Sequence, residues 1–395
     1  MNCILFDDDT WTNLLPLTFT RPVGESRVGI LKISEKWQKY FSSHISYLTK
    51  EYLSVKYPAT FSAENYLING SVLPDNELVK RIKSLKSGQV LTCGQVVVAA
   101  LLDADRSSKF NPADIDCYEK IDIPFSFSKI DYPWDIFTCN ETAINQDLEL
   151  LIKGRKSRPI SSTNQILCPE KIFIEEGATV EFSILNAQNG PIYIGKDAEI
   201  MEGCMVRGPL ALCDHAVLKM GTKIYGATTI GPYCKVGGEI NNSVLFAYSN
   251  KAHDGFLGNA VLGEWCNLGA DTNNSNLKNN YVQVKVWNYG KERFIDSGLQ
   301  FCGLIMGDHS KTAIGTMFNT GTVVGVSANI FGAGFPRNFV PSFSWGGPGG
   351  FTTYGIQKVF DVAAEVMNRR KLQLSETDKQ ILKTVFELTE KYRRF

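Results

Sequence analysis

The chain has 395 residues, room for two or three domains. Hydrophobic residues make up 44% and charged residues 21%, which excludes a disordered chain. Lys+Arg and Asp+Glu number 41 each, which excludes a broad electrostatic footprint for nucleic acid or an acidic membrane but not a local basic pocket.

No apolar run reaches the ~18 residues that a membrane helix needs. The opening MNCILFDDDT meets acids after six residues and reads as a first strand rather than a signal peptide. Ten scattered cysteines include no Cys-x-x-Cys pair. They read as reduced, apolar residues of a cytoplasmic protein. Histidine chemistry is confined to His44, His215, His253 and His309.

Residues 1–155 alternate short apolar runs, such as Cys3–Phe6 and Gln95–Leu102, with helix-like stretches. Glu77–Leu85 has apolar positions at helical spacing behind Pro74-Asp75, a helix start. This alternation predicts an α/β domain. Lys153–Arg158 and the turn-rich residues after it read as a linker.

A repeat occupies residues 156–350. Ile194, Ile200, Val206, Leu212, Leu218, Ile224, Ile230 and Val236 are spaced by six. Ile174 and Val180 share the period. Phe256, Leu262 and Leu268 resume it, and Met306, Thr312, Phe318, Val324 and Ile330 carry it again. Six matches neither a helix nor an ordinary strand. It predicts a parallel β-helix of hexapeptides, three short strands to a coil of about 18 residues, with the aliphatic residue inside.

Asn273–Leu299 breaks the period with Asn-Asn pairs, Tyr281, Trp287 and Tyr289, and is expected as an ejected loop. Gly and Pro crowd Phe331–Gly350, the expected end cap. Residues 351–395 form a helical tail. There Ser375-Glu376-Thr377-Asp378 resembles a capping box ahead of an amphipathic helix with Ile381, Leu382, Val385, Phe386 and Leu388. The tail is modestly basic from Arg369. Docking against the solenoid or a neighbouring subunit is its expected role, ahead of phosphate binding.

The richest motif runs Asn250-Lys251-Ala252-His253-Asp254-Gly255-Phe256-Leu257-Gly258 and on through Asn267-Leu268-Gly269-Ala270. A neutral imidazole there can take a proton from an attacking amine or hydroxyl. A histidine that merely caps a coil corner would read the same way. His215 lies inside the perfect repeat and is expected to be structural. The γ-type carbonic anhydrase arrangement needs two histidines about five residues apart, and no two here lie that close.

These motifs resemble the acetyltransferase domain of the bifunctional enzymes that make UDP-N-acetylglucosamine. Leu17-Thr18-Phe19-Thr20-Arg21-Pro22, Arg27-Val28-Gly29-Ile30-Leu31, Glu35-Lys36-Trp37, Gly307–Lys311 and Asn319–Gly325 extend the resemblance over most of the chain. The whole looks like a divergent, Bacteroidetes-type version of that family. The resemblance implies a left-handed β-helix, a homotrimer, acetyl-CoA as cosubstrate, and Mg²⁺ for the nucleotidyltransferase half. It places His253 on the general base, Asn267 and Asn276 on sugar-binding asparagines, and Ala270 on the alanine that meets the thioester end. Lys251 and Lys278 become candidates for the sugar phosphate, and Lys311 for coenzyme phosphates. The family tyrosine is Phe256 here, the second glycine of the Gly-Ala-Gly-Thr turn is Asp271, and the tyrosine after the loop asparagine is Leu277.

The first half resembles sugar nucleotidyltransferases more loosely. The loop after Ile4-Leu5-Phe6 reads Asp7-Asp8-Asp9 and lacks the glycines that cradle a triphosphate. The family lysine is Val23, which leaves Arg21, Arg27 or Lys32 to meet the nucleotide. The metal-binding Asp is Ser71, which leaves Asp75 or Asp103 in its place, with Asn140 or Asp147 as a second metal ligand. This domain is expected either to transfer uridylyl groups with relocated ligands or to be degenerate. The expected activity is acetyl transfer to glucosamine-1-phosphate and uridylyl transfer from UTP. Its rivals are a single activity of other specificity and a non-catalytic sugar-nucleotide-binding trimer. No nucleic-acid or membrane partner is expected.

Overall fold

Cys3–Phe6, read as an apolar run, lies in a strand flanked on both sides within a mixed sheet. The computed structural model describes residues 2–395. Strands β1 (Asn2–Phe6), β2 (Ile45–Leu48), β3 (Glu64–Asn69), β4 (Gln89–Cys93), β5 (Val96–Asp103) and β6 (Glu119–Asp122) take the order β2-β1-β3-β5-β4-β6. β1 runs parallel to β2 and β3, and β5 is antiparallel to both its neighbours. Helix α1 (Ile33–Phe41) buries Ile33, Trp37 and Phe41, and the Trp37 indole donates to the Val72 carbonyl at 3.0 Å. Helix α2 (Asn76–Lys83) begins where Pro74-Asp75 predicts, its first turn capped by the Asp75 side chain.

Two compact units divide the chain, and they do not part at residue 155. One holds the chain up to Leu14, then Arg21–Ser26 and Leu31–Tyr132. The other holds Leu15–Thr20, Arg27–Ile30 and Pro133–Phe395. Helix α3 (Asn140–Ile152) therefore belongs with the solenoid.

That second unit is the left-handed parallel β-helix. Its longest face stacks nine strands, from Ile172–Ile174 to Phe339–Val340. All eight residues of the unbroken period, Ile194 to Val236, lie in one core. Partnered residues on successive coils are 18 apart, as Glu199 with Val217 and Leu210 with Thr228.

Beyond Val236 the spacing changes, and here the expectation for Phe256 fails. The inward positions are Ile240, Leu245, Lys251 and Leu257, and Phe256 points outward. The step from Val236 to Ile240 is four residues, shortened at Gly237-Gly238 where coils touch backbone to backbone, and the step from Leu257 to Leu262 is five, which moves the inward position from Phe256 to Leu257. A Cβ on Gly237 would stand 2.5 Å from the Ala252 carbonyl oxygen. One on Gly238, at φ +79°, would stand 2.7 Å from that of Gly255.

One corner carries a column of residues in the left-handed region: Asp197, His215, Tyr233, Tyr248, Trp265, His309, Ser327 and Phe343. The five middle rings stack, with centroids 4.6, 5.1, 4.2 and 6.2 Å apart and planes within 20°. Left-handed backbone costs a bulky residue roughly 1–2 kcal/mol. Ring stacking returns about 0.5–1.5 kcal/mol per pair beyond area burial, so the column offsets its own strain. His215 stacks within this column, and its Nδ1 lies 3.8 Å from Asp197.

Asn273–Leu299 leaves the coil as expected and forms a hairpin, Lys285–Asn288 against Arg293–Asp296. Its first residues mend the sheet that they interrupt. The Phe256 N–H donates to the Asn273 amide oxygen and the Gly258 N–H to that of Asn274, both at 2.8 Å. The tail adds α4 (Ile356–Asn368) and α5 (Glu376–Leu388), the second behind the Ser375/Asp378 capping box. Of its expected apolar face, Ile381, Leu382 and Val385 are buried and Leu388 is exposed. Among the described residues no helix is long and apolar enough to cross a membrane.

Candidate functional site

The outward column beside the aromatic corner is where charge gathers. Lys235 pairs with Asn250, Asn250 bridges to Asn267, and Asn267 to Lys311, each one coil further on. Alternation in these short strands turns these four outward while their neighbours Val236, Lys251, Leu268 and Thr312 turn in. The chain after α4 then brings Arg369 and Arg370 to the same face, where Arg370 donates to the Tyr233 carbonyl at 3.2 Å and to the Asn250 side chain at 3.4 Å.

Together they enclose a cleft of about 520 Å³ lined by four cations, two amides and the rings of Tyr248 and Trp265, with no carboxylate. Such a lining suits a phosphorylated ligand with a flat or amide-bearing part. Burial lowers the Lys311 ammonium below the usual lysine range, and its Nζ donates to the His309 carbonyl at 2.9 Å. A phosphate beside it would favour the charged form.

Asn267 and Lys311, nominated from the sequence, thus stand together. Ala252 lines the same cleft, and His253 follows it with an exposed side chain. Lys251 has a different place from the one expected. It occupies a core position inside the prism, and its ammonium donates to the carbonyls of Gly237, His253 and Asp254. Desolvation lowers its pKa to about 8. It holds the His253 corner rather than reaching a sugar phosphate. Asn276 donates to the Asn259 side chain at 2.8 Å, and the Ala270 carbonyl accepts from Gly315. Neither lines the cleft, and Lys278 lines a different one. Lys235 and the ring column have no counterpart in the sequence analysis, and Arg369 and Arg370 enter it only as part of a basic tail for which docking ranks ahead of phosphate binding. A signal existed: each ring stands three residues after an inward aliphatic, as Ile230–Tyr233, Leu245–Tyr248 and Leu262–Trp265.

In the first unit, ligands of α/β sheets bind beyond the carboxyl ends of the strands where the order reverses, here between β1 and β3. The short turn Val23–Glu25 lies against that end. The Val23 N–H donates to the Asp7 carboxylate at 2.9 Å, and a Cβ on Gly24 would stand 2.5 Å from Leu5. Thr49 also donates to Asp7 at 2.5 Å, yet burial prevails and pushes its carboxyl up to about 7. Asp8 accepts from Thr10 and Asn69.

The nominated nucleotide and metal ligands are committed elsewhere. Arg21 is buried. Arg27 is buried too and donates from Nε to the Phe246 carbonyl at 3.1 Å. Lys32 pairs with Glu25 at 2.7 Å, and Glu25 also accepts from Ser34 and Tyr47. Asp75 and Asp103 cap helices, accepting from the Leu78 and Arg106 N–H groups. Asn140 is fully buried, accepting from Gly29 and Thr229 and donating to the Ala227 carbonyl. Asp147 is also buried. These side chains do not fit a Mg²⁺ site: two complete backbone caps and one completes a buried network. Among the described residues no three His, Cys, Asp or Glu side chains cluster as a metal site.

Residues 3–156 match the family described as sugar nucleotidyl transferase. No curated protein matches the chain. Among solved structures, the UDP-N-acetylglucosamine acyltransferase LpxA of Bacteroides fragilis is similar at 15% identity. That match covers 60% of this chain and 84% of that one, with a TM-score of 0.29. The UDP-N-acetylglucosamine acyltransferase of Francisella novicida is similar at 13% identity over 59% and 76%, with a TM-score of 0.26. That of Campylobacter jejuni is similar at 14% over 58% and 96%, with a TM-score of 0.21. Likenesses this distant transfer no activity.

Proposed function

We propose that the chain is a transferase of sugar-nucleotide synthesis that acetylates glucosamine-1-phosphate from acetyl-CoA on its solenoid. The observation that carries this reading is the cleft of Lys235, Asn250, Asn267, Lys311, Arg369 and Arg370, beside His253. The cations receive coenzyme and sugar phosphates. The His253 imidazole accepts a proton as the amine nitrogen attacks the acetyl carbonyl. The carbon–sulfur bond breaks, and the thiol leaves with a proton. Lys251 keeps the His253 backbone in place. The cytoplasm is the proposed location, and a homotrimer the proposed assembly.

The family match over residues 3–156 supports the second half of the reading, uridylyl transfer from UTP. There the sugar-phosphate oxygen attacks the α-phosphorus and pyrophosphate leaves. One observation favours a degenerate N-terminal unit instead: the turn Val23–Glu25 occupies the carboxyl end of β1, where the nucleotide would lie.

The test is purified protein with glucosamine-1-phosphate, acetyl-CoA, UTP and Mg²⁺, all products followed by mass spectrometry, with His253→Ala beside wild type. Acetylated sugar phosphate should form and fall about 10²–10⁴-fold in the variant. The exposed ring of His253 leaves thermal stability unchanged. UDP-N-acetylglucosamine alongside would support both activities, and acetylation alone would leave the N-terminal unit without turnover. Absence of both products from folded protein would refute the reading.

A further inference from the structure

A second cleft, of about 710 Å³, opens between the 285–296 hairpin, the coil at 337–341 and the last turn of the chain. It shares no lining residue with the cleft beside His253. Its walls divide by chemistry. Phe294, Phe339 and Tyr392 supply apolar faces, and Lys278, Lys285 and Arg337 supply cations.

Among the described residues, none of the three cations forms a salt bridge. Lys278 donates to the Gln283 carbonyl at 3.3 Å, and Arg337 lies 6.0 Å from the Phe351 ring. Lys285 stands across the hairpin from Asp296 without pairing to it. Three cations on the walls of one cleft, with no carboxylate among its lining residues, favour an anion there.

The rings are built in advance. Trp287 stacks on Phe339 with centroids 4.3 Å apart and planes 11° apart. Tyr392 meets Phe339 edge-on at 5.9 Å, and its hydroxyl donates to Glu292 at 3.2 Å. Rings fixed by other rings offer a flat ligand contact area at little entropic cost. The Asn338 amide, held by its bond to the Thr320 carbonyl at 3.1 Å, adds a polar edge among them.

We propose that this cleft binds a nucleoside monophosphate, its base against the aromatic wall and its phosphate among Lys278, Lys285 and Arg337. A phosphate monoester carries a charge of about −1.5 to −2 at neutral pH, matched by three cations where a bare sugar or hydrocarbon is not. The volume lies within the range of small-molecule sites, about 300–1,000 Å³.

Calorimetric titration of the full chain with UMP and AMP tests this, with uridine and inorganic phosphate as partial probes. The variants are Lys285→Gln/Arg337→Gln and, for the other cleft, Lys235→Gln/Arg369→Gln. All four positions are partly or fully exposed, so folding should survive, as a thermal melt would verify. Lys278→Gln is the fallback. The expected result is mononucleotide binding that weakens about tenfold or more in the first variant and is unchanged in the second. Both partial probes should bind at least about tenfold more weakly than UMP, because each uses only one wall. No mononucleotide binding to wild type, unchanged affinity in the first variant, or phosphate binding as tightly as UMP would each overturn the proposal.

Discussion

The Lys251 ammonium lies 2.5 Å from the carbonyl oxygen of His253, two residues away, and reaches it from inside the prism. An interior lysine thus fastens an exterior corner. Its pKa is lowered to about 8, so between pH 8 and the ordinary lysine value the unfolded chain binds more protons than the folded one. Stability therefore rises with pH across that window, by up to roughly 3 kcal/mol from this group. Lys251→Met should lack that rise and lose turnover through the loosened corner. Urea titrations at pH 7.5 and pH 10 on both proteins would isolate the difference. Parallel pH dependences would refute the assignment.

The cations of the cleft should act on affinity more than on rate. Lys235→Ala and Arg369→Ala remove charge without removing a core contact. Each should raise KM for acetyl-CoA about three- to tenfold at low salt and leave kcat within about twofold. The effect should shrink as ionic strength rises. Lys311→Ala should cost more, because its ammonium is buried enough to lower its pKa and also donates to the His309 carbonyl. Steady-state kinetics at two salt concentrations would separate these outcomes.

Trp265 sits between Tyr248 and His309 in the ring column, at φ +63° and buried. Trp265→Ala should destabilise the solenoid by about 3 kcal/mol or more, because it removes a large side chain and two stacking partners. Trp265→Gly relieves the strained backbone, so it should be no worse than Ala despite losing a further carbon. Denaturant melts of the three proteins give the ordering. A Gly variant much weaker than the Ala variant would contradict this account of the corner.

Asn140 offers a test of a revised assignment. Its side chain joins Gly29, Ala227 and Thr229 in one buried network. Asn140→Leu should cost about 2–4 kcal/mol by leaving those groups without partners, and should not change the Mg²⁺ dependence of any activity. A folded, stable variant with altered metal dependence would restore Asn140 as a ligand.

Most of the prism could be read from the chain, because one inward aliphatic every six residues is a strong signal and each obeys it independently. The signal failed where Gly237-Gly238 shortened a corner. Ile240, Leu245 and Leu257 then went unseen, Phe256 was placed inside because the corner after Gly258 is also short, and Lys251 was taken for a surface cation. Asp75 and Asp103 show a different limit. A carboxylate behind a proline or at a strand end suits a metal and a helix cap equally well, and only the N–H groups of Leu78 and Arg106 decide between them. Asn267 and Lys311 were found from motifs alone, whereas their neighbours Arg369 and Arg370 lie some sixty residues beyond in a basic tail. No local pattern indicates which coil a distant helix will cover.

The ring column also sets what the solenoid can survive in evolution. Each rung repeats one backbone bend 18 residues after the last through the regular coils, as His215 to Tyr233. Excising a complete turn there would bring identical bends and like faces back together, shortening the rod without scrambling it. Steps of 15 and 17 residues, from Tyr233 to Tyr248 and from Tyr248 to Trp265, also keep the rings stacked, so the column tolerates a shortened turn. Length in this protein is therefore counted in rungs of the column rather than in residues. The stretch at 273–299 is where the coil is interrupted, and its hairpin lines the second cleft.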